Sequence, residues 1–310
     1  MDTAALDEAL RGTAPPPPCD DVQAWWLRWC ALPAGAPPAT LALRGGAAAD
    51  RVGWAFAAGY QAALRALHPA LPHAAIAALC VTEDGGNRPR DIQTTFRPLP
   101  GGGVRIDGRK RWATLGPAAG VLLVVGRVDD GTGADEPRPR LQVAAVPGDT
   151  PGLVLTPMPA LGMVPEVPHA TLRLDGVEAG PQALLEGDGY ERVVKPFRTI
   201  EDAHVTLAVL AHLLRQARCR GWPAALGERL AAAVVALHAL ATGDPRSAAV
   251  HVALAGALQL ARQLHAEAGE QWARTPDDPA ARRWQRDAPL FGVAAGAREQ
   301  RARRAWEQLG

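Results

Sequence analysis

The sequence predicts an α+β protein in three parts: an N-terminal helical domain, a middle β-barrel or sandwich domain, and a C-terminal antiparallel helix bundle. Three observations predict it. Apolar residues recur at three- and four-residue steps up to about residue 70 and again after residue 189, as amphipathic helices require. Between these stretches the apolar runs shorten and alternate, and Gly, Pro, Asn and Asp punctuate them every few residues, as strands joined by tight turns do. The final stretch is rich in alanine with charged faces, which suits helices packed side by side. The division that follows is 1–20 disordered, 21–74 a shortened helical domain, 75–189 the β domain and 190–310 the bundle.

Taken in order, Ala4–Leu10 can form a short helix, and Pro15–Pro18 stops it because proline lacks the amide donor and fixes φ. Asp20 and Asp21 suit the start of a helix over Val22–Leu32, whose Trp25, Trp26, Leu27 and Trp29 need a partner surface. Gly35–Gly46 reads as a linker. Val52, Phe56, Tyr60, Ala63 and Leu67 mark a helix from about Asp50 to Leu67, ended by Pro69 and Pro72. Strands are expected over Ala75–Thr82, Thr94–Phe96, Val104–Ile106, Arg111–Thr114, Val121–Val125, Leu141–Val146 and Thr171–Leu174. Turns fall at Asp84–Asn87, Pro100–Gly103 and Asp107-Gly108, with a polar loop at Gly131–Pro139. Helices return at Thr199–Ala217, Glu228–Leu240, Ala248–Ala268 and Ala280–Gln308, the last with a break near Gly292.

Composition narrows the function. At 310 residues the chain can bury cores in two or three units, and 33 basic against 32 acidic side chains leave a formal net charge of +1. No single-signed field steers it toward nucleic acid or an anionic membrane, so neither is an expected partner. Cys19, Cys30, Cys80 and Cys219 lie far apart with no Cys-x-x-Cys pair, which argues against a zinc ribbon, a dithiol motif or a disulfide framework. Met1–Ala14 lacks the apolar core of a signal peptide. No uncharged apolar run reaches the roughly 18–20 residues that cross a bilayer. A soluble, cytoplasmic protein with reduced thiols is the expectation.

Several motifs fall in order along the β section and beyond it: Cys80-Val81-Thr82-Glu83, Gly108-Arg109-Lys110-Arg111-Trp112-Ala113-Thr114, Val146-Pro147-Gly148-Asp149-Thr150-Pro151-Gly152, Leu161-Gly162-Met163 and Arg286-Asp287-Ala288. Together they resemble the acyl-CoA dehydrogenase family, in a shortened and divergent form. The likeness runs from about Asp50 to Leu309 and is strongest over Ala75–Gly189. It implies FAD lying against the middle domain, with Thr82 and Thr114 supplying hydroxyls to the polar edge of the flavin, Val81 contributing backbone beside Thr82, and Trp112 covering the ring. A flat apolar cofactor needs such a wall and a few oriented donors. Without a cofactor the same residues read as a half-buried Trp and two strand threonines.

In this family a carboxylate removes the α-proton of an acyl thioester. Aligned from Arg286-Asp287, the glutamate of the commonest branch falls on Ala295, which cannot take a proton. A second branch carries its glutamate on the first helix of the bundle, where Glu201 stands. Glu201 is therefore the candidate base, against a structural reading in which Thr199 caps a helix and Asp202 completes a capping box. The segments that hold the FAD diphosphate in the family have no clear counterpart at Arg218–Gly227, and Ala268-Gly269-Glu270 stands for its Gly-Gly-x-Gly. The resemblance implies α,β-dehydrogenation of a short or modified acyl-CoA or acyl thioester. Electrons would pass to electron-transfer flavoprotein or a similar acceptor, in a homodimer or homotetramer. The alternative is a catalytically inactive family member serving as a binding or structural subunit, in a hetero-oligomer with a complete homologue. No metal site is expected: His204 and His212 lie eight residues apart with no carboxylate at ligand spacing.

Overall fold

The computed structural model describes residues 3–131 and 138–310, so most of the expected Gly131–Pro139 loop lies outside the described residues. The chain divides into two compact units, one formed by residues 1–66, 161–166 and 199–310, the other by 67–160 and 167–198. The first and last helical stretches, read from sequence as separate domains, thus cluster together.

The helical unit contains α1 (Thr3–Arg11), α2 (Val22–Cys30), α3 (Pro38–Ala47) and α4 (Val52–Leu67) from the first stretch. α1 occupies part of the segment expected to be disordered, and it orders because Ala5 and Ala9 are buried. α2 starts where the aspartates predict, with the Asp21 side chain accepting from Ala24 N at 2.8 Å. Its Trp25 stacks on Trp54 of α4, ring centroids 5.5 Å apart, which supplies the partner surface those tryptophans need. α3 replaces the expected linker. Pro38 sits at its first turn, where a missing amide costs nothing, and Gly45 and Gly46 are there for close packing: a Cβ on Gly46 would stand 2.1 Å from the Ala208 carbonyl oxygen.

From the last stretch come α5 (Lys195–Arg220), α6 (Ala224–Ala241), α7 (Ala248–Ala273), α8 (Pro279–Asp287) and α9 (Ala295–Leu309). α6 has a mean hydropathy of 1.5 over 18 residues, long and apolar enough to cross a membrane by length and composition alone. It also carries Glu228 and Arg229, and Leu226, Leu230, Val234 and Leu237 are buried, the pattern of a bundle helix. The two stretches are tied by His212 Nδ1 to the Ala49 carbonyl, 2.9 Å, and by Arg218 Nε donating to the Leu10 carbonyl, 2.8 Å.

The other unit is a seven-stranded sheet: β1 (Ala77–Cys80), β2 (Thr95–Pro98), β3 (Val104–Thr114), β4 (Val121–Val128), β5 (Leu141–Pro147), β6 (Leu153–Pro157) and β7 (His169–Ala179). The strand order is β1-β4-β2-β3-β7-β6, with β5 paired to β4. Two of the expected strands are one: Val104–Ile106 and Arg111–Thr114 join in β3. Asp107-Gly108, read as a turn, lies inside the strand beside a register shift against β7. There Gly176 N donates to Asp107 Oδ1 at 2.8 Å. β6 went unread in the sequence because it is a short edge strand between Gly152 and Pro157, paired only with β7.

The start of α5 also differs from the expectation at Thr199. A π-helical turn over Tyr190–Val194 leads directly into α5. Its opening amides are held by Asp188, whose Oδ1 accepts from Tyr190 N at 3.0 Å and Glu191 N at 2.9 Å. Pro196 within the first turn of α5 hid this start, since proline usually punctuates a helix rather than riding in it. Arg286-Asp287-Ala288 falls at the end of α8.

Candidate functional site

On the sheet, four of the residues singled out from sequence come together. β3 pairs with β7 through Lys110↔Leu172 and then Ala113↔Ala170, so two residues of β3, Arg111 and Trp112, face one of β7. That bulge turns Trp112 into the left-handed region, φ 61°. A bulky aromatic side chain there is an outlier that surrounding structure must hold in place. The indole is 43% exposed. His169 meets it edge-on, ring centroids 5.9 Å apart and planes at 76°, and the Arg111 guanidinium lies 5.7 Å from its centroid. Burial, partly offset by a hydrogen bond to the backbone at Val167, keeps the His169 imidazole below its ordinary pKa and so neutral at pH 7.

Val81 and Thr82 follow β1 and run beside this bulge. The Thr82 carbonyl accepts from Arg111 N at 2.8 Å, and Thr114 lies two residues beyond Trp112 on β3. Thr82 and Thr114 are each partly exposed. The hydrogen bonds among the described residues commit neither hydroxyl. A half-exposed indole flanked by two uncommitted hydroxyls is what a flat ring with a polar edge needs; on the sheet side, the residues present fit a flavin.

A group not singled out from sequence holds the arrangement. The Lys110 ammonium, fully buried, donates to Glu83 Oε1 at 2.6 Å and to the Val81 carbonyl at 3.2 Å. Glu83 Oε1 also accepts from Thr94 N at 3.0 Å and Thr94 Oγ1 at 2.8 Å, and Oε2 from Gln93 N at 2.7 Å. Burial alone would raise the Glu83 carboxyl, but the Lys110 ammonium and the amides of Thr94 and Gln93 outweigh it and hold the group below its usual range. The pair ties Val81 to β3 and so fixes Thr82 beside Trp112. Its signal in the sequence was the single acid of Cys80-Val81-Thr82-Glu83 and the middle cation of the Arg109-Lys110-Arg111 run.

In the helical unit, Glu201 lies on α5 and is partly exposed. The capping explanation for its neighbours does not survive. Thr199 is inside α5, its Oγ1 3.3 Å from His251 Nε2. Asp202 accepts from Arg298 Nε at 2.8 Å and Arg301 Nη2 at 2.7 Å, both on α9. Acids placed here do not serve the helix start, because α5 begins earlier. Ala295, where the commonest branch of the family has its glutamate, is the first residue of α9.

Two other motif strings meet within this unit. Arg286 Nη2 pairs with Glu166 Oε2 at 3.0 Å, and Asp287 Oδ1 accepts from Val164 N at 2.7 Å. The segment after Leu161-Gly162-Met163 is thereby fastened to the end of α8. His204 and His212 are core residues. Burial pushes both imidazoles down to about 4, and among the described residues no group of three or more His, Cys, Asp or Glu could hold a metal ion.

The chain has the acyl-CoA dehydrogenase fold, with a seven-stranded sheet unit and a unit of packed helices. Residues 78–177, about a third of the chain, match the family model described as acyl-CoA dehydrogenase, middle domain. Among solved structures it is similar to butyryl-CoA dehydrogenase from Megasphaera elsdenii, with a TM-score of 0.72 at 15% identity over 99% of this chain and 98% of that one. FMN-bound TdsC from Paenibacillus sp. A11-2, a dibenzothiophene monooxygenase, gives 0.70 at 15% identity, covering 96% of each chain. The FAD complex of PigA gives 0.69 at 13% identity over 99% of this chain and 97% of that one. No curated protein matches at the level of sequence.

Proposed function

We propose that this chain is a flavin-dependent oxidoreductase of the acyl-CoA dehydrogenase type, acting on a short or modified acyl thioester and using FAD. The carrying observation is the β3 bulge: a half-exposed indole at φ 61° between two threonines with uncommitted hydroxyls. A flavin bound there would supply the hydride acceptor. Thr82 and Thr114 would donate to its polar edge, the backbone at Val81 would line that edge, and Trp112 would exclude water from one face. Glu201 would take the α-proton as a carboxylate, a role in which a positioned base is worth about 10²–10⁴ in rate. Cytoplasmic location, a homodimer or homotetramer, and electron-transfer flavoprotein or a similar acceptor complete this reading.

The test is anaerobic mixing of the FAD-loaded protein with butyryl-CoA, followed at the flavin absorbance. Bleaching by the native chain and none by Glu201→Gln supports the assignment. Bleaching retained in Glu201→Gln removes Glu201 from its role. The rival reading, a non-catalytic subunit paired with a complete homologue, draws on the alanine at position 295. Co-purification separates the two: self-association with turnover on its own excludes the rival.

A further inference from the structure

The helical unit carries a cleft that the flavin reading does not use. It opens between α1, the proline run after it, and the ends of α2 and α3, with a volume of ≈ 410 Å³, within the size range of small-molecule sites. Its floor is apolar, formed by side chains that include Ala5, Ala9, Leu32 and Ala48. Among the described residues its charged lining is one-sided: Arg28, Arg44 and Arg215 against the single carboxylate of Glu8.

Arg28 and Arg215 are positioned by backbone carbonyls. Arg28 donates to the carbonyls of Pro17 and Pro18 at 2.5 and 2.6 Å. Arg215 donates to the Ala14 carbonyl at 2.7 Å, while its Nε is enclosed without an acceptor. Gly12 makes room for that guanidinium, since a Cβ there would stand 0.9 Å from Nη1. Arg44 reaches the Glu8 carboxylate at 3.1 Å, and that carboxylate is 62% exposed. Three cations fixed around an apolar floor raise the local concentration of anions, and guanidinium groups favour carboxylates through paired N–H donors.

We infer that this cleft binds a small amphipathic organic anion, an apolar body with one carboxylate, the body on the alanine floor and the carboxylate at the arginine rim. Each methylene that the floor removes from water strengthens binding about fourfold. Affinity therefore rises with chain length until the floor is covered. A cationic analogue of the same length meets the arginines with the wrong sign.

Calorimetric titration of the full chain with sodium octanoate, butyrate and octylammonium tests this, beside two variants. Ala31→Phe places a ring into the cleft from an exposed helix end, and Arg44→Gln removes one cation. Saturable octanoate binding is expected, with butyrate weaker by two orders of magnitude and octylammonium silent. Arg44→Gln should weaken octanoate about tenfold, and Ala31→Phe should abolish its binding with the melting temperature retained. Equal affinity for octanoate and octylammonium overturns the inference. So does octanoate binding that Ala31→Phe leaves intact, which would place the ligand elsewhere, the proposed acyl site included. Absence of octanoate binding in a chain that self-associates, and that Ala31→Phe makes monomeric, overturns it in favour of a contact between copies.

Discussion

Lys110 and Glu83 are the side chains on which the sheet site depends most. The pair is nearly dry, with 0% and 7% of the side chains exposed, and both carboxylate oxygens have further donors. Removing one partner from such a pair leaves an uncompensated buried charge, which costs about 3–5 kcal/mol. Lys110→Met should therefore lower the denaturation midpoint strongly, and Lys110→Met with Glu83→Gln should recover part of the loss. Equal losses in the single and double variants would show that the pair is not coupled. Trp112 behaves in the opposite way. Its left-handed backbone is strained by about 1–2 kcal/mol for a residue with a Cβ, so Trp112→Gly should change stability by no more than about 1 kcal/mol while flavin affinity collapses. A variant that keeps its flavin affinity would remove the indole from the site.

At the scale of elements, the structure rests on glycines placed where two chains nearly touch. Gly108 has φ 156°, and a Cβ there would meet Thr94 Oγ1 at 2.4 Å, the hydroxyl that donates to Glu83. Gly108→Ala should thus cost about 1–3 kcal/mol and loosen the Glu83 network. Gly46→Ala, against the Ala208 backbone, should be of similar size. Urea titration of each variant measures both, and losses below about 0.5 kcal/mol would mean the contacts relax freely. These positions explain what the sequence concealed. Gly45 and Gly46 resembled a linker, but they are contact points within α3, and Asp107-Gly108 resembled a turn where β3 continues. The π-helical turn before Pro196 placed the start of α5 ahead of Thr199, which removed the capping role of Asp202 and gave it to Arg298 and Arg301. The periodic elements, α2, α4, α6, α7 and strands β1, β4 and β5, were legible because burial on one face left a repeating pattern. Of the candidate site, Val81, Thr82, Trp112 and Thr114 were legible as motif residues. The Lys110–Glu83 pair and His169 were not, because their partners are distant in sequence and close only across strands.

For the molecule as a whole, the buried histidines set its response to acid. His204 and His212 titrate at about 4 in the folded chain, and His265 at about 3, all lowered first by burial. Their unfolded value is about 6.5, so between 6.5 and 4 the unfolded chain binds protons that the folded chain refuses. Stability is therefore full above about pH 6.5 and falls as pH drops toward 4. His204 and His212 together account for a loss on the order of 7 kcal/mol. The lowered carboxyls of Glu83 and Asp278 act in the same direction at lower pH. Melting temperature should hold steady from pH 7 to 8 and fall steeply between about 6 and 4. A flat profile across that range would show that the imidazoles charge without unfolding.

The measurement that bears most directly on the account is a titration of the purified chain with FAD, read by flavin absorbance and fluorescence, in parallel with Trp112→Gly. Saturable binding with quenched flavin fluorescence in the native chain, lost in the variant, is the expected result. A folded native chain that leaves FAD fluorescent and unbound at every concentration would contradict the central claim that the β3 bulge is built to hold a flavin.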